Sequence, residues 1–188
     1  MNCPRNLYKN EKPNRRSIRL ANYDYSQTGA YFITLCIQNR QCLFGQIMEG
    51  EMELNEYGQI VQAEWLKTAQ IRTNLVMDEF IAMPNHVHGI IVINNPRRGT
   101  MHRAPTPIIE QFGKPVSNSI PTIIRGFKSA VTTRINKMRN TPAIQVWQRN
   151  YYEHVIRNEI DLEEIREYIQ KNPLKWLEDE NHPANMEK

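Results

Sequence analysis

The sequence predicts an α+β sandwich, a mainly antiparallel sheet with helices packed on it. Two runs rich in aromatic and β-branched residues, 31–37 and 86–93, read as strands, and apolar residues fall at helical spacing after Asn55 and after Ser119. The elements then run strand, helix, strand, strand, helix, strand, with one further helix, an order that fits helices segregated on one face of such a sheet. With 188 residues, 40% apolar and 23% charged, the chain is long enough to close one core as a single domain with tails.

Each element has its own signal. Tyr31-Phe-Ile-Thr-Leu-Cys-Ile37 is the first strand, and Cys42 to Leu54 carries two short apolar pieces around Glu49-Gly50, which predicts a hairpin. Tyr57, Ile60, Val61 and Trp65 predict a helix from Asn55 to about Thr68. Residues 78–83 and 86–93 form two strands around Pro84-Asn85, because proline cannot donate to a central ladder. The second of them is apolar on both faces beyond its histidines, as a strand deep in a sheet is. A proline-punctuated loop spans 94–118. Ser119 then caps a helix with Pro121 in its first turn and Ile120, Ile123, Ile124, Phe127, Val131 and Ile135 on its apolar face. Residues 143–156 read as an irregular strand, and 159–171 as a helix ended by Asn172-Pro173. The domain layout is therefore a basic arm at 1–17, one domain over 18–177, and a polar tail at 178–188 expected to be disordered.

No run approaches eighteen apolar residues, so no membrane span is expected, and the polar, basic first twenty residues lack the apolar stretch of a secretory signal. Cys3, Cys36 and Cys42 have no paired spacing, which argues against a disulfide framework or zinc knuckle and for a reducing cytoplasm. Lys plus Arg outnumber Asp plus Glu by 24 to 20, a net charge of +4. Its distribution says more than the sum. Arg15, Arg16 and Arg19 lie in a basic N-terminal stretch, Arg97, Arg98, Arg103 and Lys114 in the long loop, and Arg125 and Lys128 on one helix face. Such segments suit either phosphate contacts or a solvated, mobile surface.

His86 and His88, two apart on a strand, leave the same face and could aim two imidazoles at one divalent cation, with Gly89 leaving room for a substrate. By itself the triplet reads rather as a pair of ordinary strand histidines, one bonded to a carbonyl and one exposed. A histidine-triad nucleotide hydrolase needs a third histidine where Ile90 stands.

The string Met83-Pro-Asn-His-Val-His-Gly-Ile-Ile91, with Trp147-Gln-Arg-Asn-Tyr-Tyr-Glu-His-Val-Ile-Arg157 and Glu167-Tyr-Ile-Gln-Lys-Asn-Pro173, resembles the REP-associated tyrosine transposases. These are a branch of the single-strand HUH transposases of bacterial insertion sequences. The likeness also takes in Ser17-Ile-Arg-Leu20, Tyr23-Asp-Tyr25 and Gly29-Ala-Tyr-Phe32, and runs from about Ser17 to Trp176.

The resemblance implies a ferredoxin-like (RRM-like) sheet with the histidines on a central strand and a catalytic tyrosine on a C-terminal helix. It puts the HUH motif on His86, Val87 and His88, the nucleophile on Tyr168, and a further metal ligand one helical turn on, at Asn172. It implies a metal-dependent single-stranded DNA endonuclease and strand transferase using Mg²⁺ or Mn²⁺. The enzyme would act at hairpin-forming repeats through a 5′-phosphotyrosine, in DNA transposition or repeat processing. The alternative is a non-catalytic DNA or RNA hairpin-binding module on the same fold. Arg15, Arg16, Arg19, Arg97, Arg98, Arg125 and Lys128 are the expected nucleic-acid contacts. A bacterial, cytoplasmic, nucleoid-associated protein is expected, as a monomer, with a homodimer as the alternative. Apart from the family pattern, Tyr168 lies at the margin of an apolar stripe, Leu162, Ile165 and Ile169, and reads as a packing residue. Tyr151 and Tyr152 read as one core residue and one base-stacking contact. His154 reads as a strand histidine or a third ligand, and Trp147 and Trp176 as core.

Overall fold

The computed structural model describes residues 23–94 and 116–185. Six strands and three helices follow in chain order: β1 (Gly29–Cys36), β2 (Gly45–Met48), β3 (Glu51–Leu54), α1 (Glu56–Gln70), β4 (Leu75–Ala82), β5 (His86–Ile93), α2 (Ile120–Met138), β6 (Tyr152–Ile156) and α3 (Glu159–Lys171). β4, β5, β1 and β6 lie side by side in that order, every pair antiparallel. This is the ferredoxin-like arrangement, with β1 and β5 in the centre. β2 and β3 form a separate hairpin, turned by Glu49 and Gly50 at φ of 52° and 82°. Two positive φ values at a two-residue turn match the right-handed twist of the strands it joins.

The two faces of the sheet bury different things. Tyr31, Ile33 and Leu35 of β1 and Val87 and Ile91 of β5 point to one face. There they meet Ile60, Val61 and Trp65 of α1 and Phe127 and Val131 of α2. On the other face Phe32, Ile90 and Ile156 form a smaller core with Ile169 of α3. Helices thus cover both faces, and α3 packs on the face that carries both histidines. Among the described residues no helix is long and apolar enough to cross a membrane.

Asn55 caps α1 by accepting from the amides of Tyr57 and Gly58. Ser119 precedes α2 as expected but makes no capping bond; its hydroxyl donates to Val116 O instead. The irregular strand expected at 143–156 shortens to β6. Val146 and Trp147 are adjacent and both buried, which a two-residue repeat cannot satisfy, and only one isolated bridge, Ile37 to Trp147, precedes β6 in this stretch. The arm at 1–17 and most of the loop at 94–118 lie outside the described residues.

Candidate active site

His86 and His88 pair across the sheet with Cys36 and Thr34 of β1, so both side chains emerge beneath α3, as their spacing predicts. Gly89 does not open this side. Its place in the alternation puts it on the opposite face, where a Cβ would lie 2.5 Å from the Trp65 ring. Glycine is required there by packing against α1.

The two imidazoles converge, Nε2 to Nε2, at 3.0 Å, and both residues are buried. His86 Nδ1 donates to Asn85 Oδ1 at 2.8 Å, which leaves its Nε2 as a bare lone pair. His88 Nδ1 lies 2.9 Å from Thr34 Oγ1, and a hydroxyl both donates and accepts. His88 can therefore carry its proton on either nitrogen: on Nε2 it donates to His86, and on Nδ1 it turns a second lone pair to the same spot. Burial pushes both pKa values down, so both rings are neutral, the form that ligates metal.

α3 brings Tyr168 over the pair, its Oη 3.3 Å from His88 Nε2. The ring stands edge-on to Phe32 and His88, at centroid distances of 6.1 and 5.2 Å. Burial first, then the negative charges of Asp179 and Glu180, push its pKa up to about 12, against a smaller opposing pull from Asn172. The phenol is therefore protonated at neutral pH. Cys36, Arg40 and Asn181 help line the cavity beside it, of about 410 Å³.

The expected disordered tail is a correction, because residues 178–185 fold back over the site. α3 ends at Lys171 as expected, but its capping residue Asn172 keeps helical dihedrals (φ −58°, ψ −41°) and the chain leads straight into a 3-10 turn, Pro173–Glu178. Proline suits the start of a turn, where its missing N–H is not needed. The turn seats Trp176 beside His86, centroids 6.0 Å apart, and delivers Asp179, its side chain buried, with Oδ2 3.9 Å from His86 Nε2. Asn181 O then accepts from Asn85 Nδ2 at 2.7 Å.

His86, His88 and Asp179 bring their ligand atoms within 4.8 Å of one another. Two neutral imidazoles and a carboxylate fit a divalent cation of the Mn²⁺ or Mg²⁺ kind better than a soft metal. The 3.0 Å between the two nitrogens is also about what two bonds of ~2.1 Å at a right angle span. Asn172, the expected further ligand, instead donates Nδ2 to Asp179 Oδ2 at 3.3 Å, while its Oδ1 is buried without a hydrogen-bond partner. Nothing in the local sequence marks Asp179, which sits in an acidic run beyond a proline.

The remaining expectations divide. Lys128 is spent inside the fold: its ammonium donates to Gln148 O at 2.8 Å and Asn150 O at 3.2 Å and lies over the Tyr151 ring. Arg125 is exposed on α2, and Arg15, Arg16, Arg19, Arg97 and Arg98 lie outside the described residues. His154 pairs with Asp161 at 3.0 Å, away from the histidine pair. Trp147 and Trp176 are buried.

No protein-family model matches the chain. An uncharacterized protein of Haemophilus influenzae is 43% identical over 167 residues, covering 88% of this chain and 92% of that one. Among solved structures, a REP-associated tyrosine transposase bound to a REP hairpin superposes with a TM-score of 0.57 at 19% identity, over 86% of this chain and 74% of that one. A candidate transposase of Deinococcus radiodurans is 14% identical, with a TM-score of 0.45 over 79% of this chain and 93% of that one, too distant to add weight.

Proposed function

The chain belongs to one family with the Haemophilus influenzae protein and has the fold of a REP-associated tyrosine transposase, and from that premise we propose that it is a metal-dependent single-stranded DNA endonuclease and strand transferase. It acts at hairpin-forming repeats through a 5′-phosphotyrosine intermediate. The observation that carries this reading is Tyr168 Oη, 3.3 Å from His88 Nε2, which is 3.0 Å from His86 Nε2: a nucleophile and two ligand nitrogens on one spot.

A divalent cation, Mn²⁺ or Mg²⁺, held by His86, His88 and Asp179 would draw charge off the scissile phosphate and its 3′ leaving oxygen. The rest falls to the protein. Tyr168 Oη forms a bond to phosphorus as the bond from phosphorus to the 3′ oxygen breaks. The phenol loses its proton and the departing oxygen takes one up, which leaves a 5′-phosphotyrosine and a free 3′-hydroxyl. One ester replaces another, so the step needs no ATP and runs backwards when a 3′-hydroxyl attacks the phosphotyrosine. Held protonated by burial, Tyr168 is a poor nucleophile until a phosphate and a cation are in place. Nucleophile and ligands come from the same chain, which lets a monomer act. Arg15, Arg16, Arg19, Arg97, Arg98 and Arg125 supply phosphate contacts on single-stranded or hairpin DNA, and the setting is the bacterial cytoplasm, at the nucleoid.

The test is cleavage of labelled hairpin DNA from repeats flanking the protein's own gene, with Mn²⁺ or with EDTA, run on denaturing gels. A metal-dependent covalent adduct with the wild type, absent from Tyr168→Phe and His86→Ala, is the expected result. Tight hairpin binding without cleavage, across several repeats and both metals, would favour the binding module instead.

A further inference from the structure

We propose that the cavity beside Tyr168 is a site for one unpaired nucleobase next to the scissile phosphate, stacked on Tyr152 and framed by a rim that Lys128 holds in place. It rests on the DNA-cleaving reading above for its place beside the phosphate, though not for its affinity for a base.

Tyr168 and His88 form part of the wall of this cavity of about 410 Å³. A strand whose phosphate reaches Tyr168 Oη therefore has this cavity beside that phosphate. The lining has the chemistry of a base site. Phe32 and Tyr152 contribute aromatic rings, and Gln148 and Asn150, whose carboxamides carry both a donor and an acceptor for a base edge, also line it. Tyr152 opens β6 at the edge of the sheet and is 49% exposed, a large ring left half in water. Phe32 braces it edge-on, at a centroid distance of 6.2 Å and an interplanar angle of 68°. Single strands are held by such rings because every base has a stacking face.

Lys128 explains how the rim keeps its shape. Residues 148–151 precede β6 and lack a ladder of their own, yet Nζ of Lys128 gathers the carbonyls of Gln148 and Asn150 and lies 5.7 Å from the Tyr151 ring centroid. One ammonium thus holds three of these four residues, Gln148 and Asn150 by their carbonyls and Tyr151 by its ring. In place of the phosphate contact expected from sequence, Lys128 positions the residues that meet a base.

The experiment uses full-length protein carrying Tyr168→Phe, so that the bound strand stays intact. Hairpin DNA with a single-stranded flank carries 2-aminopurine at one unpaired position at a time. Stacking on protein should quench the fluorescence at one position. Tyr152→Ala should abolish that quench and weaken binding roughly tenfold, whereas Tyr152→Phe keeps both. An abasic residue at the same position should cost wild-type Tyr152 about as much and cost Tyr152→Ala little more, the non-additivity that marks a direct contact. Lys128→Met should reduce the quench with the circular dichroism spectrum unchanged. Equal quench and affinity for Tyr152→Ala and Tyr152→Phe, or penalties that simply add, would overturn the proposal. The outcomes separate from those of the cleavage assay. Adduct formation without a Tyr152-dependent quench removes the base site and leaves the nuclease, and a Tyr152-dependent quench without any adduct does the reverse.

Discussion

The carboxamide of Asn85 has a carbonyl oxygen on each of two sides, Arg40 O at 3.1 Å and Asn181 O at 2.7 Å. Carbonyls only accept, so its nitrogen faces them and its oxygen faces His86 Nδ1. The tautomer of His86 is therefore dictated by a neighbour that ligates nothing. Asn85→Ala should lower Mn²⁺ affinity about 10–100-fold, measured by electron paramagnetic resonance titration. Asn85→Asp keeps an acceptor for His86 but turns a carboxylate on two carbonyls. It should preserve the His86 tautomer, read from ¹⁵N shifts of the metal-free protein, while lowering the urea midpoint. An unchanged Mn²⁺ affinity in Asn85→Ala would remove its positioning role. On the other face of the same strand, Gly89→Ala drives a methyl against Trp65 and should cost about 1–3 kcal/mol in urea unfolding.

At the scale of elements, the placement of α3 depends on a defect in β4. The ladder between β4 and β5 slips between Met77 and Phe80. Neighbouring strand residues normally face opposite ways, but a bulge re-aims them, and here Asp78 and Glu79 both reach α3. Arg166 donates to both carboxylate oxygens of Asp78, at 2.9 and 2.6 Å, and Gln170 donates to Glu79 at 2.9 Å. Arg166→Ala should cost about 1 kcal/mol of stability at neutral pH and loosen the helix that carries Tyr168. The Arg166 guanidinium is the main reason the Asp78 pKa lies below its usual value, with the Glu79 amide adding and burial opposing. A carboxyl depressed by folding stabilises fully above its unfolded pKa of about 4 and loses that contribution as pH falls through the lower folded value. The gap in urea midpoint between wild type and Arg166→Ala should therefore be full at pH 6 and close in acid below about pH 4. A gap independent of pH would mean that the bridge is not its source. The helices were legible in the sequence by the period of their apolar residues, and the two central strands by their near-continuous aromatic and β-branched runs. The bulge was not, since the strand read at 78–83 begins inside it, whereas the irregularity before β6 was expected, though not that it would leave the strand so short.

Across the whole molecule, legibility followed distance along the chain. The histidine pair is written in three consecutive residues and Tyr168 in one helical motif, so the family resemblance could pick out both, although neither stood out on local grounds alone. Asp179 could not be picked out, because only the backward fold of residues 178–185 carries it to His86, and a short acidic, proline-bounded run looks like a solvated tail. A cation held by His86, His88 and Asp179 would clasp the centre of the sheet to residues 178–185. A ligand that binds only the folded state stabilises it by about 2.7 kcal/mol at a hundred times its Kd. For a domain of this size that corresponds to a rise in Tm of about 5–10 °C. Mn²⁺ should give such a rise and EDTA should reverse it, and His86→Ala should show none. Asp179→Asn should fold without metal as well as wild type, since it removes a charge from beside a neutral ring. It should nonetheless lose most of the Mn²⁺-dependent rise, together with any metal-induced hydrogen-exchange protection of residues 179–185. A full rise in Asp179→Asn, abolished instead by Asn172→Ala, would move the third ligand to the unpartnered oxygen of Asn172.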